Sequence, residues 1–121
     1  MGKPVVHWEL WSKDPEKVGR FYADVFDWEV TFIEALNYRL VDTRAENGIN
    51  GGITTPQDGP WPGNLALYID VDDLDAYRAK IEAAGGTTLV PRMEIPNMGA
   101  LALFEDPDRR VFGIWQRGGA Q

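Results

Sequence analysis

The sequence predicts an α+β fold made of two tandem βαβββ modules, and three observations predict it. Val5–Trp28 reads as a strand, a turn and an amphipathic helix. Sliding the chain by 59 residues brings that unit back as Leu65–Gly86, with His7 over Ala66, Asp14 over Asp73, Val18 over Tyr77 and Tyr22 over Ile81. Each unit is then followed by short runs rich in β-branched and aromatic residues, which is the composition of strands. At 121 residues the chain is expected to form one domain with two similar halves, too short for two independent folding units.

The first strand, Val5–Trp11, alternates: Val6, Trp8 and Leu10 face one way and His7, Glu9 and Trp11 the other. Asp14-Pro15-Glu16 has the form of a helix start. Asp14 can cap, Pro15 suits the first helical position because its missing N–H has no partner there, and Glu16 sits at the positive end of the dipole. Val18, Phe21, Tyr22, Val25 and Phe26 follow at three-and-four spacing, so the helix is expected to bury one apolar stripe. Trp28–Glu34 and Asn37–Thr43 then read as a hairpin, and Ile49–Thr54 completes a three-strand meander. Thr55–Gly63 holds three prolines and two glycines and is expected to be an exposed linker carrying Trp61.

In the second half, Leu65, Leu67, Ile69 and Val71 form the apolar face of a strand, while Asn64, Tyr68 and Asp70 lie opposite. Asp73 is the expected helix cap and Gly85-Gly86 the stop. Thr87–Pro91 reads as a short strand, Arg92–Gly99 as an irregular loop, and Ala100–Glu105 and Val111–Gln116 as strands around the turn Asp106–Arg110. The modules thus span about residues 4–54 and 64–116, and residues 117–121 are expected to fray. Phe21, Tyr22, Phe26, Phe104 and Phe112 are assigned to the core. Met93 and Met98 could form an adaptable lid or plug the underside of their loop.

Composition excludes some functions. A formal charge of -7 argues against nucleic acid or an anionic membrane as partner. With no cysteine there is no disulfide, no thiolate nucleophile and no thiolate metal site. No apolar run has the length of a signal peptide or a membrane span, so a cytoplasmic location is expected.

The DP-type helix starts, "VDDLDAYRAKIEAAGG", "RFYADVFDWEV" and the ending "FEDPDRRVFGIWQ" resemble the vicinal oxygen chelate superfamily of glyoxalases, bleomycin-resistance proteins and extradiol dioxygenases. The resemblance covers nearly the whole chain. It implies that the two mixed sheets form a U-shaped cup with the helices outside. It also implies a divalent metal on ligands from the first and last strands of each module. Carried over residue by residue, those ligand positions read His7, Gly52, Ala66 and Gly113, one ligand in four. Catalytic zinc wants three protein ligands, and the non-haem iron triad wants two histidines where this chain has one. The expectation is therefore no complete metal site, although Glu9 and Asp70 could on paper join His7 to rebuild one.

His7 and Glu9 share a strand face and are candidates for general acid–base work, or they simply satisfy each other. Trp11, Tyr38, Tyr68 and Trp115 have the parity of the cup and would wall a pocket for a flat or cationic organic molecule. Three function classes follow. One is a metal-free binder of a small organic ligand, of the bleomycin-resistance kind. The second is a glyoxalase-like lyase, isomerase or epimerase acting on a small carbonyl compound through His7 and Glu9. The third is a structural or regulatory module with a vestigial cup. A homodimer is expected, because apolar strand surface near Trp8, Trp28 and the linker would otherwise face water.

Overall fold

A computed structural model describes residues 2–55 and 63–118. Trp61, nearly all of the expected linker, and the end of the tail lie outside the described residues. The order is β1 (Val5–Trp11), α1 (Pro15–Phe26), β2 (Glu29–Ile33), β3 (Tyr38–Asp42), β4 (Gly51–Thr54), β5 (Leu65–Asp70), α2 (Leu74–Ala83), β6 (Thr87–Ile95), β7 (Gly99–Glu105) and β8 (Val111–Arg117). The class is α+β and each half is a βαβββ module, as the repeat predicts. The chain divides into two compact units, His7–Ala66 and the remainder, in which residues 2–6 join the second half.

In the first unit the strand order is β2-β3-β4-β1. β1 and β4 run parallel with Trp8 opposite Gly51 and Glu9 opposite Gly52, while β2–β3 and β3–β4 are antiparallel. Helix α1 starts as its sequence dictates, with the Asp14 carboxylate accepting the Lys17 N–H at 3.2 Å. It packs on β2 and β4 through Gly19, where a Cβ would lie 3.2 Å from Val30. The buried centre is small and includes Val41 and Ile53. Beside it, Trp8, Trp28, Tyr22 and Phe26 form an aromatic cluster with neighbouring ring centroids 5.3 to 6.0 Å apart. The Trp8 indole lies against Gly51 and donates to the Ile49 carbonyl at 2.6 Å.

The second unit has the order β5-β8-β7-β6, with β5 and β8 parallel and the other pairs antiparallel. Its core is continuous: Val71, Leu74, Ala100, Ala102 and Ile114 are buried, and Ile69, Tyr77, Ile81 and Phe104 pack on them. Asp73 caps α2 by accepting the Ala76 N–H at 3.1 Å, and Gly85 leaves the helix at φ 102°, a conformation that glycine adopts without strain. In the turn before β8 the Asp106 carboxylate accepts the Asp108 and Arg110 N–H groups, and the latter bond holds its pKa below the ordinary value. The start of the chain is tied here too, since the Asp70 N–H donates to the Pro4 carbonyl at 2.9 Å.

Several expectations are corrected. The stripe of α1 is not buried: Phe21 and Val25 are each 55% exposed and Phe26 54%, so Phe21 and Phe26 are not core. Three-and-four spacing reports an apolar face but not whether the sheet is wide enough to cover it. Val6 and Leu65 are exposed as well, because α1 lies over β2 and β4 and α2 over β6, β7 and β8, away from the starts of β1 and β5. The more enclosed side of these strands is the mixed one, where Trp11 is 7% and Tyr68 4% exposed. Arg92–Gly99 is not a loop. β6 runs on to Ile95 with two register shifts, and Asn97 at φ 66° turns the chain into β7. Pro91 is tolerated because β6 is an edge strand of its unit. Arg117 is not frayed either, since it ends β8 and the following Gly118 N–H donates to the Met98 carbonyl at 2.7 Å.

Candidate functional site

The face of the first unit that carries the histidine is built by β1, β3 and β4. Because side chains alternate, β1 directs His7, Glu9 and Trp11 to one side. The pairing of Leu40 with Gly52 puts Tyr38, two residues earlier on β3, on the side of Gly52 as well. The structure then joins residues that are 31 apart in sequence: His7 Nε2 and Tyr38 Oη are 2.8 Å apart. Glu9 Oε1 accepts the Trp11 indole N–H at 2.9 Å. Four of the expected site residues, His7, Glu9, Trp11 and Tyr38, thus form two hydrogen-bonded pairs on one face.

Gly52 explains why Tyr38 can reach His7. A Cβ at Gly52 would stand 2.0 Å from Tyr38 Oη and 2.1 Å from Cζ, so the phenol lies directly on the glycine backbone. The second unit repeats the device with different parts. Tyr68 is opposite Gly113 across β5 and β8, and a Cβ at Gly113 would stand 2.5 Å from the Tyr68 ring. The registers also support matching Gly52 with Gly113. Glu9 faces Gly52 and Tyr68 faces Gly113, and positions 9 and 68 are related by the same shift of 59 that relates His7 to Ala66. Trp115 is half-buried on β8, opposite Asp70, and its ring lies against Gly99.

These residues do not fit a metal of the kind that the resemblance implies. Gly52, Ala66 and Gly113 carry no donor, tyrosine rings fill the space beside the two glycines, and the His7 Nε2 is engaged by a phenol. Among the described residues, no group of three or more His, Cys, Asp or Glu side chains gathers closely enough to hold an ion. Tyr38 and Tyr68 were expected as pocket walls, but their contact with Gly52 and Gly113 was not foreseen. The available signal was the bare glycine itself, since a glycine inside a strand often marks a place where something approaches the backbone closely.

Burial lowers the His7 pKa below its ordinary 6.5, and the Glu9 carboxylate offsets this only in part. The imidazole is therefore neutral at pH 7. Between the lowered value and 6.5 the unfolded chain binds the proton more tightly than the folded one. Stability should rise with pH across that window and gain nothing from His7 above it. Urea unfolding at a series of pH values should show this slope in the wild type and a flatter profile in His7→Gln. Equal profiles would mean that His7 has the same affinity for protons in both states.

Residues 5–113 match the family described as the Glyoxalase/Bleomycin resistance protein/Dioxygenase superfamily. The anthracycline biosynthesis protein DnrV of Streptomyces peucetius is 28% identical over 125 residues, covering 91% of this chain and 46% of that protein. CFP32 of Mycobacterium bovis, which carries a provisional glyoxylase name, is 31% identical over 109 residues, covering 88% of this chain and 41% of that protein. The chain thus spans about half the length of the curated relatives it matches. A superfamily member from Vibrio splendidus has the same fold with a TM-score of 0.63 and 17% identity, covering 95% of this chain and 99% of that one. Methylmalonyl-CoA epimerase of Streptomyces coelicolor superposes with a TM-score of 0.65 and 14% identity, covering 98% and 96%. At such identities the likeness is one of fold. Among the described residues, no helix is long and apolar enough to cross a membrane.

Proposed function

Because the chain belongs to the glyoxalase/bleomycin resistance protein/dioxygenase superfamily, we propose that it binds a small organic molecule through aromatic and hydrogen-bonding side chains, without a full set of metal ligands. The observation that carries this reading is the loss of donors at Gly52, Ala66 and Gly113, with the glycines sealed by Tyr38 and Tyr68. In the first module His7, Glu9 and Tyr38 offer polar contacts and Trp11 an aromatic edge. In the second module the half-buried Trp115 offers an aromatic surface, with Tyr68 buried against Gly113. Such a surface suits a flat ligand, where area burial and stacking supply the affinity, with a cation–π share when the ligand is positive. The chain's net charge of -7 favours the positive one. The name of DnrV, an anthracycline biosynthesis protein, supports beginning with anthracyclines.

The test is calorimetric titration with anthracyclines and smaller cationic aromatics, after elemental analysis of the purified protein. Metal below one equivalent per chain and measurable affinity are expected. His7→Ala, Tyr38→Ala, Trp11→Ala and Trp115→Ala should each weaken binding by about 1–3 kcal/mol. Stoichiometric metal that is lost on His7→Ala, or affinity untouched by all four substitutions, would sink the reading.

A second reading is enzymatic, as a lyase, isomerase or epimerase acting on a small carbonyl compound. It is favoured by the burial that keeps His7 neutral, the form a general base needs, with Glu9 near enough to raise its proton affinity. Exchange of an acidic C–H of such a compound with deuterated solvent, present in the wild type and absent in His7→Ala, would select it over simple binding.

A further inference from the structure

The end of α1, the residue before β2 and the residues after β3 line an open groove of about 640 Å³ in the first unit, formed by Ala23, Phe26, Asp27, Trp28, Thr43 and Arg44. It shares no residue with the face built around His7 and Tyr38. One wall is aromatic. Phe26 and Trp28 have ring centroids 5.5 Å apart, Tyr22 stacks on Trp28 at 5.3 Å, and Phe26 remains 54% exposed. The other walls carry opposite charges. Asp27 and Arg44 are both exposed, and neither has an ion pair among the described residues.

The backbone gives each charged wall its preference. Helix α1 has no basic residue in its last turn, and beyond the Ala23 carbonyl, which accepts the Asp27 N–H at 3.0 Å, its final carbonyls have no partner within the helix. That end of the dipole is negative, so the Asp27 side favours a cation. Arg44 holds left-handed backbone at φ 59°, with its N–H donated to the Asp42 carboxylate at 2.8 Å. Glycine or asparagine would fit that conformation more easily than a long side chain, and residues held in such regions cluster at ligand sites. Its guanidinium suits a carboxylate.

We infer that this groove binds a free aromatic amino acid, with its ring on Phe26 and Trp28, its ammonium at Asp27 and the end of α1, and its carboxylate on Arg44. Charge complementarity chooses that occupant. A purely cationic aromatic would bring its charge toward Arg44, and a purely anionic one would bring its charge toward Asp27 and the helix end. A zwitterion beside a ring meets all three walls, and the stacking supplies the burial. The groove lies apart from His7 and Tyr38, so the inference stands or falls independently of the ligand-binding reading made for that face.

Amide NMR spectra of the full chain, titrated with phenylalanine, test it. Phenylalanine at millimolar concentration should shift the Asp27, Trp28, Thr43 and Arg44 amides saturably, and phenethylamine, phenylpropionate and glycine should each bind at least about tenfold more weakly. Asp27→Asn and Arg44→Asn both place a residue that tolerates left-handed backbone, so each variant should keep the wild-type circular dichroism spectrum. Asp27→Asn should weaken phenylalanine about tenfold and leave phenylpropionate unaffected, whereas Arg44→Asn should weaken phenylalanine about tenfold and leave phenethylamine unaffected. That crossed pattern would not arise from a general loosening of the groove. No saturable shift, shifts confined to the face of His7 and Tyr38, or an equal response of all three aromatic compounds to both variants would each overturn the inference.

Discussion

Leu74→Ala is expected to lower the free energy of unfolding by about 2–5 kcal/mol, the largest loss from any single substitution considered for this protein. Leu74 is fully buried at the first turn of α2 and belongs to the cluster that includes Val71, Ala100, Ala102 and Ile114. Two alanines stand among its neighbours, so no larger side chain on their strand can move in to fill the space. Its backbone is fixed as well, since the Leu74 N–H donates to Gln116 Oε1 at 2.7 Å and ties the helix start to β8. A site that cannot collapse keeps its cavity, which places the cost toward the upper end of the range. Leu65→Ala is the control: it is 46% exposed, and the change should cost within about 0.5 kcal/mol. Urea unfolding of both variants checks the pair, and equal midpoints would mean that the second half does not hold the stable core.

Gly52→Ala is expected to destabilise the first half by about 1–3 kcal/mol through overpacking. The new methyl group would overlap Tyr38 Oη, Cζ and Cε2 at 2.0 to 2.2 Å, and the ring could clear it only by swinging off the strand. That movement would break the 2.8 Å contact with His7, which adds about 1 kcal/mol for a hydrogen bond left unmade. In the double variant Gly52→Ala, Tyr38→Ala the clash has no partner, so its cost should fall well below the sum of the singles. Gly52→Glu, which puts a carboxylate where the resemblance implies a metal ligand, should lose stability in the same way and gain no metal affinity. Additive costs for Gly52→Ala and Tyr38→Ala would show that the ring and the glycine do not depend on each other.

The sequence by itself determined the two helix starts and the repeat. Asp14 and Asp73 cap the helices they were read to cap, because a carboxylate three residues ahead of a free N–H acts within one turn. The repeat set which positions are equivalent, and the β1–β4 and β5–β8 registers agree with it. The family was legible for the same reason, since its motifs are helix starts and turns. That Gly52, Ala66 and Gly113 bring no side-chain donor follows from single letters, whatever surrounds them.

Tertiary structure alone decided what covers each face. The spacing that places Phe21, Val25 and Phe26 on one stripe of α1 is the same whether a sheet, water or another molecule lies against it. Only the placement of α1 over β2 and β4 leaves them exposed. The extension of β6 to Ile95 came from pairing with β7, since a proline and a bulge erase the alternation that would have announced a strand. Tyr38 reaches His7 only because the β3–β4 register brings it onto Gly52. That register is a property of three strands and two turns together. Local sequence preferences end at the turn, and the meeting of residues 31 apart is fixed by packing.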